Sequence, residues 1–445
     1  MTKTEAASAI LQATADQPPA EGELILLGIP DVNGSVRGKA LRPDAFAAAL
    51  RDGVVMTDLL LALDPVDVPI EDYERFGIRS GAGDLLVRPD PDTLRNLSWR
   101  AGWSVCLGTP AWRDGSPCEL ACREVLRHVL DSTAELGYEF VAAFEYEVRL
   151  RGEGDRPLST GLSYSFAELA RFDELLARLG PALEGLGIEL TAVHTEAGPG
   201  LLELNVAARP GLQAADDATF VKLAVKDVAA SLGLSASFLA KTAPGEEGSS
   251  GHVHLSCWSD GENAFAREGP ANELPSTLAA AVAGVLERLP AASLLLNPTI
   301  NSYKRLIPGY FAPVNVSWGV ENRSAAVRVI QSDNPERCRI ECRRPGADAN
   351  PYLALAALAA SAADGIGRGL EPPAPVEGDA SARPDLPPLP TSLESAIREF
   401  KADEVLPQAL GEPFSDYYAT SRAWELKAWQ QAVTDWERER YERAV

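Results

Sequence analysis

Three short patterns in this chain place charged side chains two residues apart, the spacing at which an extended strand puts them on one face. They are Glu145-Tyr-Glu147, His252-Val-His254 and Arg339-Ile-Glu341-Cys-Arg343; a further acidic pair, Glu196 and Glu203, flanks the turn Ala197-Gly-Pro-Gly200. Two carboxylates side by side in an apolar strand are costly unless a cation pairs with them. Only four histidines occur, and two of them stand at metal-ligand spacing. The chemistry on offer is cation binding by the acids and histidines and anion binding by the arginines. Each pattern also has a plain reading: a solvated strand face for the acids and arginines, a structural role for the histidines.

The elements that must carry these residues are mixed. Residues 1–19 are rich in Ala, Thr, Gln and Pro and predict a frayed tail. From Glu23, short apolar runs broken by Gly, Pro and Asp (24–29, 54–63, 83–87) predict a small sheet-containing domain ending near Asp114-Gly-Ser-Pro117. Helical spacing follows over 119–136, then a strand over 138–150, a helix over 166–179, two strands around 190–206 and a helix around 216–232. The end predicts helices over 392–401 and 421–445, with a Pro-rich surface loop at 371–390 between them and the body. Strands and helices without clean βαβ alternation indicate an α+β fold.

Composition narrows the partners. With 41 Lys and Arg against 64 Asp and Glu the chain carries a formal charge of −23, which disfavours nucleic acid and anionic lipid as partners. Stretches such as 24–29 and 280–285 fall short of the ~20 apolar residues of a membrane span, and no secretory signal is visible, so a cytoplasmic protein is expected. Six cysteines (106, 118, 122, 257, 338, 342) include no CxxC, which predicts structural or incidental thiols rather than a zinc site.

Taken in order, the patterns resemble those of the glutamine synthetase family. The acidic pair is followed by an E…PG…E segment and by the glycine-rich 245–251 stretch leading into His252-Val-His254. The run Asn297-Pro-Thr-Ile-Asn-Ser-Tyr-Lys-Arg-Leu-Ile-Pro-Gly-Tyr-Phe-Ala-Pro313 comes next, then Asn322-Arg-Ser-Ala325, the Arg339–Arg343 strand and Asn350-Pro-Tyr-Leu353. The resemblance covers roughly residues 21–445. It implies a β-grasp N-terminal domain (20–113), a catalytic domain (114–445) and active sites between subunits of a ring, usually a dodecamer of two stacked hexamers. It implies that Glu147, Glu196 and Glu203 hold one divalent cation and Glu145, His252 and Glu341 another, with two to three Mg²⁺ or Mn²⁺ ions per site. Such oxygen-rich sets suit those ions. By the same matching Arg305 and Arg343 grip the carboxylates of glutamate, and Gly248 lies against the substrate backbone. Arg323, Arg328 and Arg339 face ATP phosphates, with His254 and Ser256 on the nucleotide side. Asp31, otherwise an ordinary turn aspartate before Asn33-Gly34, takes the amine's proton from an adjacent subunit.

The departures from the pattern decide the expected substrate. Phe311 stands where ammonia-using members carry a glutamate at the amine site. Losing that carboxylate removes an attraction of up to about 4 kcal/mol at an effective dielectric near 20, and a ring favours alkyl or aryl groups by about 1.5–3 kcal/mol per buried side chain. Glu247 replaces a common asparagine, Leu201 or Leu202 a glutamine, and Glu336 a frequent lysine near ATP. Pro384 stands where bacterial members place the tyrosine modified by adenylylation. The expected reaction is ATP-dependent joining of glutamate to an organic amine through γ-glutamyl phosphate. An ammonium-using glutamine synthetase and a catalytically silent structural relative are the alternatives.

Overall fold

The structure, a computed structural model, describes residues 22–266 and 273–445; the expected tail at 1–19 lies outside the described residues. Two sheets organise the chain. The first is built from β1 (Leu24–Pro30), β2 (Val36–Leu41), β3 (Val54–Thr57), β4 (Asp84–Pro89), β5 (Arg95–Asn96) and β6 (Trp103–Trp112) in the order β2-β1-β6-β4-β3, with β5 on β6. Its β1–β6 pair is parallel and the others antiparallel. The alternation in Leu24–Pro30 buries Ile25, Leu27 and Ile29 in the shared core.

The second sheet positions the charged patterns. It comprises β7 (Glu139–Arg151), β8 (Leu190–Thr195), β9 (Leu201–Val206), β10 (Arg209–Pro210), β11 (Ser235–Ser237), β12 (Gly251–Ser259), β13 (Glu262–Asn263), β14 (Trp318–Val320), β15 (Val327–Ile330) and β16 (Arg339–Cys342). The main order is β14-β15-β16-β12-β7-β9-β8. Its centre, β12 beside β7, is antiparallel. Phe140, Phe144, Tyr146, Val148 and Leu150 of β7 are buried on the core side. Helices back this face. Two of them, Ser276–Leu296 and Pro351–Arg368, approach so closely that a Cβ added to Gly284 would lie 2.2 Å from the Ser361 carbonyl oxygen. Only glycine permits that contact.

Several expectations need correction. The segment expected as one helix over 166–179 is a short helix Phe166–Leu169, a 3₁₀ turn and a second helix Asp173–Gly185. The terminal helix starts earlier, at Glu412, with Gly411 as its N-cap and Pro413 in its first turn, and ends at Gln431. Thr434 and Glu437 then form a capping box that starts a separate helix, Asp435–Tyr441. Ser276–Leu296 is long and apolar enough to cross a membrane by length and composition, more than the sequence suggested. It is mostly buried in the body of the protein. The cysteines are all free and buried, as expected of structural thiols.

Candidate active site

Strand alternation turns Glu145, Glu147 and Arg149 to one face of β7, and register brings their counterparts alongside. Glu147 lies opposite Glu203 of β9. His252 lies opposite Glu145, and His254 opposite Glu341 of β16, which in turn faces Arg328 of β15. Five neighbouring strands thus contribute to one charged surface. It floors a cleft of about 610 Å³ lined by Glu145, Glu147, Glu196, Glu203, Gly248, His252, Arg305, Phe311, Arg323, Arg328, Glu341 and Arg343. The cleft also takes in Glu247 and Leu201, two of the departures noted above.

The acids gather into two groups that could hold metal ions. Glu145, His254 and Glu341 can bring one ligand atom each within 4.8 Å of the others, and so can His194, Glu196 and Glu203. His252 Nδ1 is 3.4 Å from both Glu145 Oε2 and Glu341 Oε1, so either histidine of the pair can complete the first group. Arg339 Nε donates to His254 Nδ1 at 3.0 Å, leaving His254 Nε2 2.8 Å from Glu145 Oε1. Glu147 is buried and accepts from the Ser250 N–H at 2.7 Å. Burial and the facing Glu203 push its carboxyl up to about 8. Burial acts in the same direction on Glu145, but the two histidines outweigh it and hold that carboxyl far below its ordinary range.

These features fit divalent cations. Glu147 is held off ionisation by its surroundings, and His252 Nε2 is buried without a hydrogen-bond partner. The donor set of carboxylates with at most one imidazole per group matches Mg²⁺ or Mn²⁺. Glu145 and Glu341 with either His254 or His252 would hold one ion, and Glu147, His194, Glu196 and Glu203 another.

The run 297–313 builds one wall of the cleft. Asn301 accepts from the Lys241 N–H at 2.8 Å and donates to the Lys241 carbonyl at 2.9 Å, clamping the loop that leads to Gly248. Arg305 is buried; it donates to Ser250 Oγ at 2.9 Å and to the Arg344 carbonyl at 3.1 Å, and burial lowers its pKa to about 10. A Cβ on Gly248 would fall 2.5 Å from Arg305 Cγ and 2.8 Å from the Ala240 carbonyl oxygen. Glycine is required there by contact rather than by backbone angle. Phe311 is 64% exposed at the cleft wall, with φ of 51°. A bulky side chain in the left-handed region is uncommon and strained.

Four expected site residues lie outside this cleft. Arg339 and His254 are joined to each other and do not line it, and Ser256 accepts from Trp258 Nε1 at 2.9 Å. Asp31 is buried in its own turn, accepting from Asn33 N and Ser35 N, both at 2.9 Å, and from Arg37 Nε at 2.7 Å. Within one chain it does not line the cleft. Glu336 lines a different cavity beside Trp258.

His194 and Tyr164 are among the cleft residues that escaped the sequence reading. His194 is 3.1 Å from Glu203 Oε1 and 3.4 Å from Glu196 Oε1. Tyr164 stacks on His194 with ring centroids 4.2 Å apart and, like Phe311, has positive φ, at 54°. The alternation His194-Thr-Glu196 was a readable signal; Tyr164 offered none.

Comparison with known proteins supplies relatives for this geometry. Residues 119–441 match the family described as glutamine synthetase, catalytic domain. The chain is 34% identical over 436 residues to a glutamate–isopropylamine ligase from a Pseudomonas species, covering 94% of this chain and 95% of that one. It is 34% identical over 429 residues to the gamma-glutamylethanolamide synthetase GlnA4 of Streptomyces coelicolor, covering 93% and 91%. A glutamine synthetase of Thermotoga maritima is 33% identical over 436 residues, covering 94% and 95%. Among solved structures the chain is similar to one described as apo GmaS without ligand, with a TM-score of 0.84, 28% identity, and coverage of 95% and 97%.

Proposed function

The chain belongs to the glutamine synthetase family, and from that premise we propose that it joins L-glutamate to an organic primary amine, using ATP, to give a γ-glutamyl amide. The observation that carries this reading is Phe311. Its ring is exposed on the cleft wall rather than packed in the core, so the position that would attract ammonium presents an apolar surface instead. Relatives named for isopropylamine and ethanolamine as partners of glutamate support the same choice.

In the proposed reaction a γ-carboxylate oxygen of glutamate bonds to the γ-phosphorus of ATP and ADP leaves. The amine nitrogen then bonds to the acyl carbon, the carbon–oxygen bond breaks, and phosphate departs with the electron pair. One proton passes from the nitrogen to a base. Divalent cations, when bound, neutralise the negative charge that these groups bring together. In this reading Arg305 and Arg343 bind the carboxylates of glutamate and Arg323 and Arg328 the phosphates; that all four line one cleft supports it. Arg339, tied to His254, positions that histidine against Glu145. Asp31 would serve as the base only from a neighbouring copy, once its contact with Arg37 opens.

We place the protein in the cytoplasm as a homo-oligomer, a dodecamer of two stacked hexamers by family likeness. The N-terminal sheet domain at 20–113 would close each neighbour's catalytic domain at 114–445. Measuring ADP release with glutamate, ATP and Mg²⁺ across ammonium and a panel of primary amines tests the reading. Amine-dependent turnover with a γ-glutamyl amide as product is expected; efficient ammonium-dependent glutamine formation at low millimolar concentration would overturn it.

A further inference from the structure

Phe311 borders the reaction cleft and also a second cavity of about 730 Å³, so packing around its ring does not hold it. Its backbone nevertheless sits at φ of 51°, a conformation that persists only where the surroundings enforce it. The loop from Arg305 to Pro313 makes two turn bonds of its own, from the Ile307 N–H to the Arg305 carbonyl at 2.9 Å and from the Tyr310 N–H to the Ile307 carbonyl at 3.2 Å. Neither reaches past Tyr310. Both ends of the loop meet instead at one residue, Arg344. At the start, Arg305 donates to the Arg344 carbonyl at 3.1 Å; just beyond Phe311, the Arg344 guanidinium donates to the Pro313 carbonyl at 2.6 Å. The second arm of the same guanidinium donates to the Pro390 carbonyl at 2.5 Å, where the Pro-rich loop ends.

Arg344 is costly where it stands. It is 1% exposed, and among the described residues it has no ion-pair partner; burial lowers its pKa to about 10, and its Nε has no acceptor. A buried, uncompensated cation is expensive, and an apolar side chain of similar volume is often the more stable choice. The return is geometric: a planar fork whose two arms grip two carbonyls at once, which an ammonium on a flexible stem does not reproduce. We propose that Arg344 is the positioning residue of the amine side of the cleft: its guanidinium fixes Phe311 through the Pro313 carbonyl, while its own carbonyl fixes Arg305. The two tasks use different atoms. A side-chain substitution therefore releases the Phe311 end of the loop and leaves the Arg305 end held by main chain.

This rests on the amine-ligase reading, and the test separates the two. Initial rates of ADP release give the KM for glutamate and the ratio of kcat/KM for the best primary amine of the panel to that for ammonium. They are measured for the wild type, Arg344→Met, Arg344→Lys, Phe311→Ala and the double variant Arg344→Met with Phe311→Ala; Arg344→Gln replaces the Met variant if that protein does not fold. In Arg344→Met the amine-to-ammonium ratio should fall at least fivefold while the KM for glutamate stays within twofold. Arg344→Lys, which keeps a donor for one of the two carbonyls, should retain more of the ratio. In the Phe311→Ala background the same Arg344 change should move the ratio less than twofold, because a positioning residue has no effect once the group it positions is gone. A ratio unmoved by Arg344→Met, a KM for glutamate that rises in step with the loss of selectivity, or an equal effect with and without the Phe311 ring overturns the inference and leaves the amine-ligase reading standing. A wild type that turns over ammonium and no organic amine overturns both.

Discussion

At Phe311 two costs coincide: an aromatic ring exposed to solvent and a backbone in the left-handed region at φ of 51°. Strain of that kind is typically of order 1–3 kcal/mol and persists where the surroundings enforce it. Its neighbour in the cleft, Tyr164, shares the backbone geometry. The proposed gain is selectivity against ammonium. Phe311→Glu restores a carboxylate at the amine site, and the ratio of kcat/KM for ammonium to that for the preferred amine should rise at least tenfold, about 1.4 kcal/mol. A ratio that stays put in steady-state kinetics would remove Phe311 from the selectivity argument.

Strand β7 does more than present acids. Arg149, two residues beyond Glu147 on the same face, is almost fully buried; it donates to the Pro199 carbonyl at 2.6 Å and to the Glu247 carbonyl at 2.8 Å. One guanidinium thus fixes both the turn between Glu196 and Glu203 and the loop carrying Gly248. Arg149→Met would leave those carbonyls short of a donor, each at about 1–3 kcal/mol. A lower melting temperature and a raised KM for glutamate are expected, read by calorimetry and initial rates. Behind β7, the helix Gly211–Ser231 sends Lys222 over the Tyr146 ring, 4.5 Å from its centroid, to donate to the Ala349 carbonyl at 2.9 Å. Burial lowers its pKa to about 7 from an ordinary 10.5. Between those values the unfolded chain holds the proton and the folded chain does not, so this group's contribution to stability rises with pH from about 7 toward 10.5. The melting temperature of Lys222→Met minus that of the wild type should therefore fall between pH 6 and pH 9. A constant difference would mean that Lys222 titrates normally.

On the scale of the molecule, the two sheets share one continuous core, yet apolar side chains remain uncovered at the C-terminal end. Trp429, Val433 and Trp436 are 49%, 74% and 59% exposed, and Tyr441 and Val445 continue the series. A run of this kind marks an interaction surface more often than free solvent exposure. Deleting residues 432–445 should lower the native mass seen by light scattering and reduce activity with it, because the proposed site needs a neighbour's Asp31. An unchanged mass would take this segment out of the assembly contacts.

The order of motifs, the strand alternation in Glu145-Tyr-Glu147 and His252-Val-His254, and the substitution at Phe311 were legible in the sequence because each depends on local spacing alone. Helix ends were less so: the separate helix Asp435–Tyr441 turned on one capping box. The site's composition was the least local property. That Glu147 faces Glu203 and that His254 meets Glu341 and Arg339 follow from ladders between strands far apart in the chain. The sequence by itself determined which charged groups stand at the spacing that turns them to one strand face. Only the tertiary structure decided that Phe311 stands exposed between two cavities, because exposure and shared walls arise from the packing of distant segments and leave no trace in spacing.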